Sequence, residues 1–258
     1  MIRFLLRKFF YDLWDNLFKL MLLNMGFLGI LVLAFTVPPF LDFIPALGTA
    51  AFAVLIFAVI VYLCAAALAL KSVSDYRSFD AGDFFGSLKP ACLPALVLSL
   101  LFLVVFFLVR FAVPFYLAQG TLPGIAFAAV CFWTALIFSG AFQFFPAVFS
   151  RLEKRPVKAA GKCLLIFFDN IPFSLFSLFF AAVLSIPVIF SPAFPLLYLD
   201  QALRLRLLKY DWLEAEAGTE HVPKEGNKRR KIPWREILAG EMEKTGRRDW
   251  KDFVFPWR

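Results

Sequence analysis

Residues that commonly carry chemistry are rare in this sequence. Among 258 residues there is one histidine, His221, and the four cysteines stand far apart, at positions 64, 92, 131 and 163. The sequence contains no C-x-x-C pair, H-E-x-x-H pattern, glycine-rich phosphate loop or nucleophile elbow. We therefore expect no catalytic residue, no metal site, no disulfide framework and no cofactor. The cysteines are expected to act as small apolar packing residues.

Charge is also scarce. Only 18% of the residues are charged, whereas 61% are hydrophobic and 35 are phenylalanine. Soluble domains average roughly 45–50% apolar and about 25% charged residues. This composition predicts an integral membrane protein. The formal net charge of +8 then reflects basic residues collected in short loops, the pattern that the positive-inside rule produces.

Long apolar runs are abundant instead. Since a spanning helix needs about 20 mostly apolar residues, five segments qualify as spans: residues 20–37, 49–70, 91–113, 124–148 and 164–189. A short sixth segment, residues 191–205, contains Asp200 and Arg204, so it is expected to cross while buried against other helices or to be re-entrant. The predicted fold is therefore all-α, with five clear transmembrane helices, a short sixth segment and a cytoplasmic C-terminal tail.

The basic loops alternate along the chain. Lys and Arg precede the first span and follow the second and fourth, while the loops after the first and third spans contain neither. This alternation predicts a cytoplasmic N-terminus. With a sixth segment that returns the chain, the tail is cytoplasmic as well.

The C-terminal part is unlike the rest. We divide the chain into a transmembrane domain at 1–209, a charged linker at 210–231 and a tryptophan-rich tail at 232–258. Pro233 suits the first position of a helix and Gly246 its end, with Ile237, Leu238 and Met242 as an apolar strip. The residues expected to dock on a partner or on the membrane surface are Trp234, Arg235, Trp250, Phe253, Phe255, Trp257 and Arg258.

Tryptophan next to arginine fits two surroundings. One is the lipid headgroup region, where the indole settles and the cation meets anionic lipid. The other is a pocket on a partner protein, where Trp and Arg are the usual anchors. Nucleic acid is not expected as a partner, because acidic residues are interleaved with the basic ones throughout the tail.

A second group of candidate residues lies where two predicted spans begin. Asp15, Asn16 and Asn24 lie at the mouth of the first span, and Asp169 and Asn170 at the mouth of the fifth. Helix capping and compensation of the helix dipole explain such residues. The alternative is a shared polar cluster near the cytoplasmic side that holds an ion or a substrate.

Four passages resemble the YesL-like family of bacterial integral membrane proteins, a family of unknown function. They are FYDLWDNLFKLMLLNMGFL, SFDAGDFFGSLK, FQFFPAVFSRLE and KAAGKCLLIFFDNIPFSLF, which together cover roughly residues 8–210. The resemblance implies a compact domain of five or six helices in the bacterial inner membrane. It also implies association with carbohydrate uptake, for example with a component of a sugar importer. It carries over no ligand or catalytic residue, and the long charged tail departs from the family pattern.

Three functions remain open from the sequence. The first is a non-enzymatic accessory or assembly protein whose cytoplasmic tail docks a partner or the membrane surface. The second is a small transporter or channel that uses the polar residues at the helix mouths, with Pro172 and Pro187 breaking the fifth helix. The third, a membrane enzyme acting on a lipid-linked substrate, has no recognisable acid, base or nucleophile in the sequence.

Overall fold

The computed structural model describes residues 1–41, 43–187, 192–219 and 232–246, and every regular element in these ranges is helical. The elements are α1 Ile2–Asp15, α2 Leu17–Phe40, α3 Pro45–Ser74, α4 Ala81–Phe107, a π-helical turn Leu108–Ala112, α5 Val113–Ala118, α6 Leu122–Phe142, α7 Phe145–Arg151, α8 Pro156–Asp169, α9 Ile171–Ser185, α10 Ala193–Thr219, α11 Trp234–Ile237 and α12 Ala239–Thr245.

Four helical stretches are long and apolar enough to cross a membrane: Leu17–Phe40, Ala46–Ser74, Ala81–Ala118 and Leu122–Arg151. They contain the first four predicted spans, which are thereby confirmed as candidate membrane helices. The third stretch joins α4, the π-helical turn and α5. α4 begins with a capping box, in which the Asp80 amide donates to Oδ2 of Asp83 at 3.1 Å.

The fifth predicted span is not one straight helix. It is a pair, α8 and α9, bent by 109° at Asn170. Pro172 lacks the amide hydrogen that a continuous helix would need and its ring clashes with the preceding turn. Oδ1 of Asn170 then accepts from the amide of Phe173 at 3.1 Å and caps the new helix. Counting the bent pair as one span gives up to five candidates.

The sixth segment is longer than predicted. Its helix, α10, has 27 residues and continues to Thr219, so residues 210–219, assigned to the linker from the sequence, are helical. The run DWLEAEA consists mostly of good helix formers, which explains the extension. Residues 220–231 lie outside the described residues.

The first half of α10 forms the centre of the bundle. Leu197, Tyr198, Ala202, Leu203 and Leu205 are completely buried. The helix packs against α3, α9, α1 and α2. It lies antiparallel to α9, because Ser177 contacts Tyr198 while Asp169, before the start of α9, contacts Arg206. The charged residues of α10 are thus explained by burial in protein rather than by contact with lipid.

The outer faces of the long helices are apolar and exposed. Phe18 and Phe35 on α2, Phe102 and Phe106 on α4, and Trp133 on α6 are each more than half exposed. In water such surfaces would be an aggregation hazard, whereas lipid tails cover them without cost. The cysteines divide between the two environments: Cys64 and Cys163 are buried packing residues as expected, but Cys92 is exposed.

Candidate functional site

A cluster of buried and half-buried charged residues, with one tyrosine, lies where α1, the C-terminal ends of α3 and α7, the middle of α10, and α12 meet. We call it the charged cluster, and its members are Lys8, Asp12, Lys71, Asp75, Tyr76, Arg151, Asp200, Arg204 and Glu241. These residues come from five separate parts of the chain. The cluster therefore exists only in the folded protein.

Arg151 joins α7 to α10 and α3. Its Nε and Nη2 donate to the two carboxylate oxygens of Asp200, at 2.8 and 2.6 Å, and its Nη1 donates to Asp75 at 2.8 Å. The Asp200 side chain is only 1% exposed. A bidentate pair of this kind is strong and directional. Because both charges are buried, removing one partner would leave the other uncompensated.

Arg204, one turn further along α10, extends the cluster to the tail. Its Nη1 donates to Asp75 at 2.7 Å and to the carbonyl oxygen of Ser74, and its Nη2 donates to Oε1 of Glu241 at 2.8 Å. Asp75 therefore accepts hydrogen bonds from both arginines. Through this residue, the end of α3, the central helix and the tail helix are held together.

Tyr76 adopts an unusual backbone conformation directly after α3. Its φ is +59°, and it is the one non-glycine residue with a positive φ in the part of the chain that the structure describes. The amide of Tyr76 donates to the carbonyl of Val73 at 3.1 Å, and the amide of Arg77 to that of Ser72 at 2.9 Å. This is a Schellman helix end, where glycine is the usual residue. A side chain there costs roughly 1–2 kcal/mol.

The position of the Tyr76 side chain explains why a tyrosine stands there. Its ring lies 3.7 Å from Nζ of Lys8 and 5.1 Å from Cζ of Arg204, measured to the ring centroid. Its hydroxyl lies 3.0 Å from Oε2 of Glu241 and 3.0 Å from Oγ1 of Thr245. Burial raises the pKa of the Tyr76 hydroxyl, so the group keeps its proton at neutral pH and donates to Glu241.

Lys8 and Asp12 form the part of the cluster that belongs to α1. Lys8 is completely buried, and its Nζ lies 2.6 Å from Oδ2 of Asp12, which also accepts from Nε2 of Gln201 at 2.7 Å. Burial lowers the pKa of Lys8 and raises the pKa of Asp12, and in each case attraction to the partner opposes the effect of burial. The pair ties α1 to the central helix.

The tail segment, residues 232–246, covers the charged cluster. Leu238, Glu241 and Thr245 are buried, while Arg235 and Met242 are exposed. Trp234 is half-buried and packs on the core. The predicted helix is confirmed, since it starts after Pro233 and ends at Gly246 with a φ of +71°, although it is divided at Leu238. Of the predicted apolar strip, Leu238 is buried but Met242 is not.

A second polar group lies at the bend between α8 and α9. One oxygen of Asp169 accepts from Nη1 of Arg206 at 3.0 Å, Nζ of Lys209 at 2.9 Å and the hydroxyl of Tyr210 at 2.9 Å. The Arg206 side chain is 1% exposed and its guanidinium lies 4.7 Å from the ring centroid of Phe173. Burial, with the nearby carboxylate, raises the pKa of Tyr210 to about 12. These contacts fix the bend against α10.

The candidate polar residues from the sequence lie in different places. Oδ1 of Asn24 accepts from the amide of Ala193 at 2.9 Å, and Asp169 contacts Arg206. Ala193 and Arg206 are thirteen residues apart on α10, or about 20 Å along the helix, so the structure does not bring Asn24 and Asp169 together. Asn170 caps α9.

The remaining candidates lie at the junction of α1 and α2 or in the tail. Asp15 is the last residue of α1, and Nδ2 of Asn16 donates to the carbonyl of Asp12 at 3.0 Å. Of the docking candidates, Trp234 and Arg235 belong to α11. Trp250, Phe253, Phe255, Trp257 and Arg258 lie outside the described residues.

Sequence reasoning missed most of the charged cluster. Asp200 and Arg204 stood out as charges in an apolar segment, but Lys8, Tyr76 and Glu241 did not. A tyrosine directly after Asp75, at a helix end where glycine is common, was the available signal. The other members lie on α1 and α12 or at the C-terminal ends of α3 and α7, and nothing in the local sequence distinguishes them from ordinary solvated charges.

An apolar cavity of about 240 Å³ lies between α4, α6 and α9. Ser139 and Gln143 are its polar residues, and Nε2 of Gln143 donates to the carbonyl oxygens of Gly140 and Ser174, at 2.7 and 2.8 Å. Within the described ranges, no group of three His, Cys, Asp or Glu residues is placed to hold a metal ion.

The long apolar helices with exposed faces and the charges gathered inside protein indicate an all-helical membrane protein. Comparison of the chain with family models, with curated proteins and with solved structures finds no match.

Proposed function

We propose that this protein is a non-enzymatic accessory or assembly protein of a membrane complex, whose tail docks a partner protein. The observation that carries the proposal is the docking of residues 232–246 on the bundle through Leu238 and Glu241. While this contact is made, Gly246 is held at the bundle, directly before the part of the sequence that carries aromatic residues at 250, 253, 255 and 257. Closely spaced aromatic residues on an ordered base are suited to a protein pocket.

The charged cluster supports a structural role for the bundle itself. The buried charges of Arg151, Arg204 and Asp200 are engaged by other side chains of the same protein. Such a network holds five parts of the chain in one arrangement. A rigid platform of this kind is what an assembly protein needs.

We place the charged cluster and both termini on the cytoplasmic side of a bacterial inner membrane. Basic residues surround this end of the bundle: Lys71, Arg77, Lys154 and Arg155 lie within a few residues of Asp75 or Arg151, which fits the positive-inside rule. The first half of α10 is then a re-entrant return with α9, because the fifteen residues of α9 extend about 22 Å. That length is short of the roughly 30 Å of a hydrocarbon core.

The resemblance to YesL-like proteins narrows the partner class. We propose a component of a carbohydrate-uptake system, such as a multi-component sugar importer, as the protein that the tail contacts.

The test compares co-purification of proteins from native membranes. A full-length variant with alanine at Trp250, Phe253, Phe255 and Trp257 is expected to lose the partner that the natural chain retains. Trp133→Ala, on the exposed face of α6, is the matched control and should keep it. An unchanged set of co-purifying proteins in the tail variant would contradict the proposal. If the tail variant retains every co-purifying protein and a synthetic 247–258 peptide binds strongly to anionic vesicles, the tail instead binds the membrane surface.

One observation favours a small transporter or channel as the second candidate. The break between α8 and α9 at Asn170 resembles the discontinuous helices of transporter sites, and an apolar cavity lies beside α9. Solute flux into vesicles containing the purified protein, compared with Asp169→Ala, tests this function. Flux that depends on Asp169 would favour the transporter or channel over the accessory role. Equal flux in the two proteins would show that the Asp169 carboxylate has no role in transport.

A further inference from the structure

We propose that the bundle residues of the charged cluster form a binding surface for an acidic amphipathic helix, and that residues 232–246, which include Glu241, are a built-in occupant that exchanges with a free helix of the same pattern. The contacts of Glu241, the spacing of the buried tail residues, the charge of the cluster and the small size of the tail helices support this inference.

The bundle binds both oxygens of the Glu241 carboxylate separately. Oε1 accepts from Nη2 of Arg204 at 2.8 Å, and Oε2 accepts from the hydroxyl of Tyr76 at 3.0 Å. Tyr76 is held in position by its strained backbone and by the cations of Lys8 and Arg204 beside its ring. This geometry selects a carboxylate, because a single-oxygen or neutral group satisfies only one of the two donors.

The neighbouring buried residues define the rest of the pattern. Leu238 lies three residues before Glu241 and Thr245 four residues after it, so all three side chains are on one face of the segment. Leu238 packs with the core of the bundle. The surface therefore recognises a helix with leucine at one position, glutamate three residues later and a hydroxyl residue four further on.

The charge of the cluster indicates that the site needs an anion. Within the bundle, four cations (Lys8, Lys71, Arg151 and Arg204) lie among three anions (Asp12, Asp75 and Asp200), and Glu241 supplies the fourth negative charge. Lys244 also approaches Glu241, at 3.8 Å, but it is 60% exposed and counts little. Because an unbalanced buried charge is costly, the tail leaves more easily when another carboxylate replaces it.

The tail segment is also poorly suited to permanent attachment. Its helices have four and seven residues, far below the roughly 12–15 that an isolated helix needs, so docking must supply their stability. The segment is joined to α10 through residues 220–231. Because the segment belongs to the same chain as the bundle, its effective concentration is on the order of millimolar. A weak contact therefore persists until a competing helix reaches a similar concentration.

A consequence for regulation follows, and it rests on the proposed function. A partner helix of this pattern would bind the bundle residues of the cluster and displace the tail. The exchange itself requires no partner protein and is tested without one. A loss of partner in native membranes and a loss of exchange in detergent are therefore separate results.

The experiment measures fluorescence anisotropy of a labelled peptide, residues 232–246, added to the purified full-length protein in detergent. The natural chain should bind it weakly, because its own tail competes. The Glu241→Gln chain should bind it at least tenfold more tightly, because its own tail has lost the charge. The control chain carries Glu243→Gln, a change at an exposed position of the same helix, and should bind the peptide as weakly as the natural chain does.

A second arm uses the peptide as the variant. A peptide carrying Glu241→Gln should bind the Glu241→Gln chain at least tenfold more weakly than the natural peptide, and the Glu243→Gln peptide should bind equally well. The proposal is overturned by equal binding of the natural peptide to all three chains, by absence of binding at millimolar peptide, or by equal binding of the Glu241→Gln peptide.

Discussion

The hydroxyl of Tyr76 lies 3.0 Å from Oε2 of Glu241, although the two residues are 165 positions apart in the chain. Tyr76 has the left-handed backbone conformation that normally requires glycine. Its conformational cost is offset by contacts that glycine cannot make: the ring lies beside Lys8 and Arg204, and the hydroxyl reaches the tail. This one residue thus connects a local helix end to the docking of the C-terminal segment.

Replacing Tyr76 should destabilise the protein. Tyr76→Phe keeps the ring but removes a hydrogen bond to a buried carboxylate, at a cost of about 1–3 kcal/mol. Tyr76→Gly relieves roughly 1–2 kcal/mol of backbone strain but loses both the ring and the hydroxyl, so we expect a larger net loss. The measurement is the midpoint of thermal unfolding in detergent. The control is Tyr116→Phe, because the Tyr116 hydroxyl makes no hydrogen bond to any residue that the structure describes. A stabilised Tyr76→Gly variant would contradict our explanation of this residue.

Breaking the pair of Arg151 and Asp200 should be among the most damaging single changes. Asp200→Asn leaves the buried guanidinium of Arg151 with reduced compensation, and loss of one partner of a buried pair costs about 3–5 kcal/mol. Unfolding in detergent, followed by circular dichroism, measures the effect. The control is Lys162→Gln, which breaks the more exposed pair with Glu153 at 3.2 Å and should change the stability little, because solvent screens such pairs. Equal effects of the two changes would show that the buried cluster does not stabilise the bundle.

Close packing of α6 on α8 depends on Gly140. A β-carbon there would lie 2.6 Å from Cε2 of Phe167, so Gly140→Ala must push α8 away, at a cost of about 1–3 kcal/mol. Gly161→Ala, in α8 with open space around it, is the matched control and should stabilise by up to about 1 kcal/mol. The thermal midpoints of the two variants should therefore move in opposite directions. Thermal midpoints that shift in the same direction would show that the contact of residue 140 with Phe167 does not limit how closely α6 packs on α8.

The proposed orientation predicts which residues an impermeant reagent can reach. In a background without the four natural cysteines, Gln119→Cys, between α5 and α6, should react with an impermeant maleimide added to intact cells. Arg77→Cys, between α3 and α4, should react only after the membrane is opened. Both positions are exposed. The reverse pattern would invert the topology and place the charged cluster outside the cell.

The features that were predictable from the sequence depend on local patterns. Apolar runs located four candidate membrane helices. Pro233 and Gly246 bracketed the tail helix. The fifth span was harder to predict, because composition alone did not distinguish a straight helix from two helices bent at Asn170.

The sequence by itself determined the class of this protein, since hydrophobicity, helix capping and proline chemistry act between residues close together in the chain. Only the tertiary structure decided how the charges are used. Asp75, Arg151, Asp200 and Glu241 are far apart in the sequence, and only Asp200 stood out there as a charge in an apolar segment. Folding places them within hydrogen-bonding distance in a largely buried region, where pairing is stronger than in water and an unpaired charge is costly. That long-range cost fixes the position of α10 and brings the tail back onto the bundle.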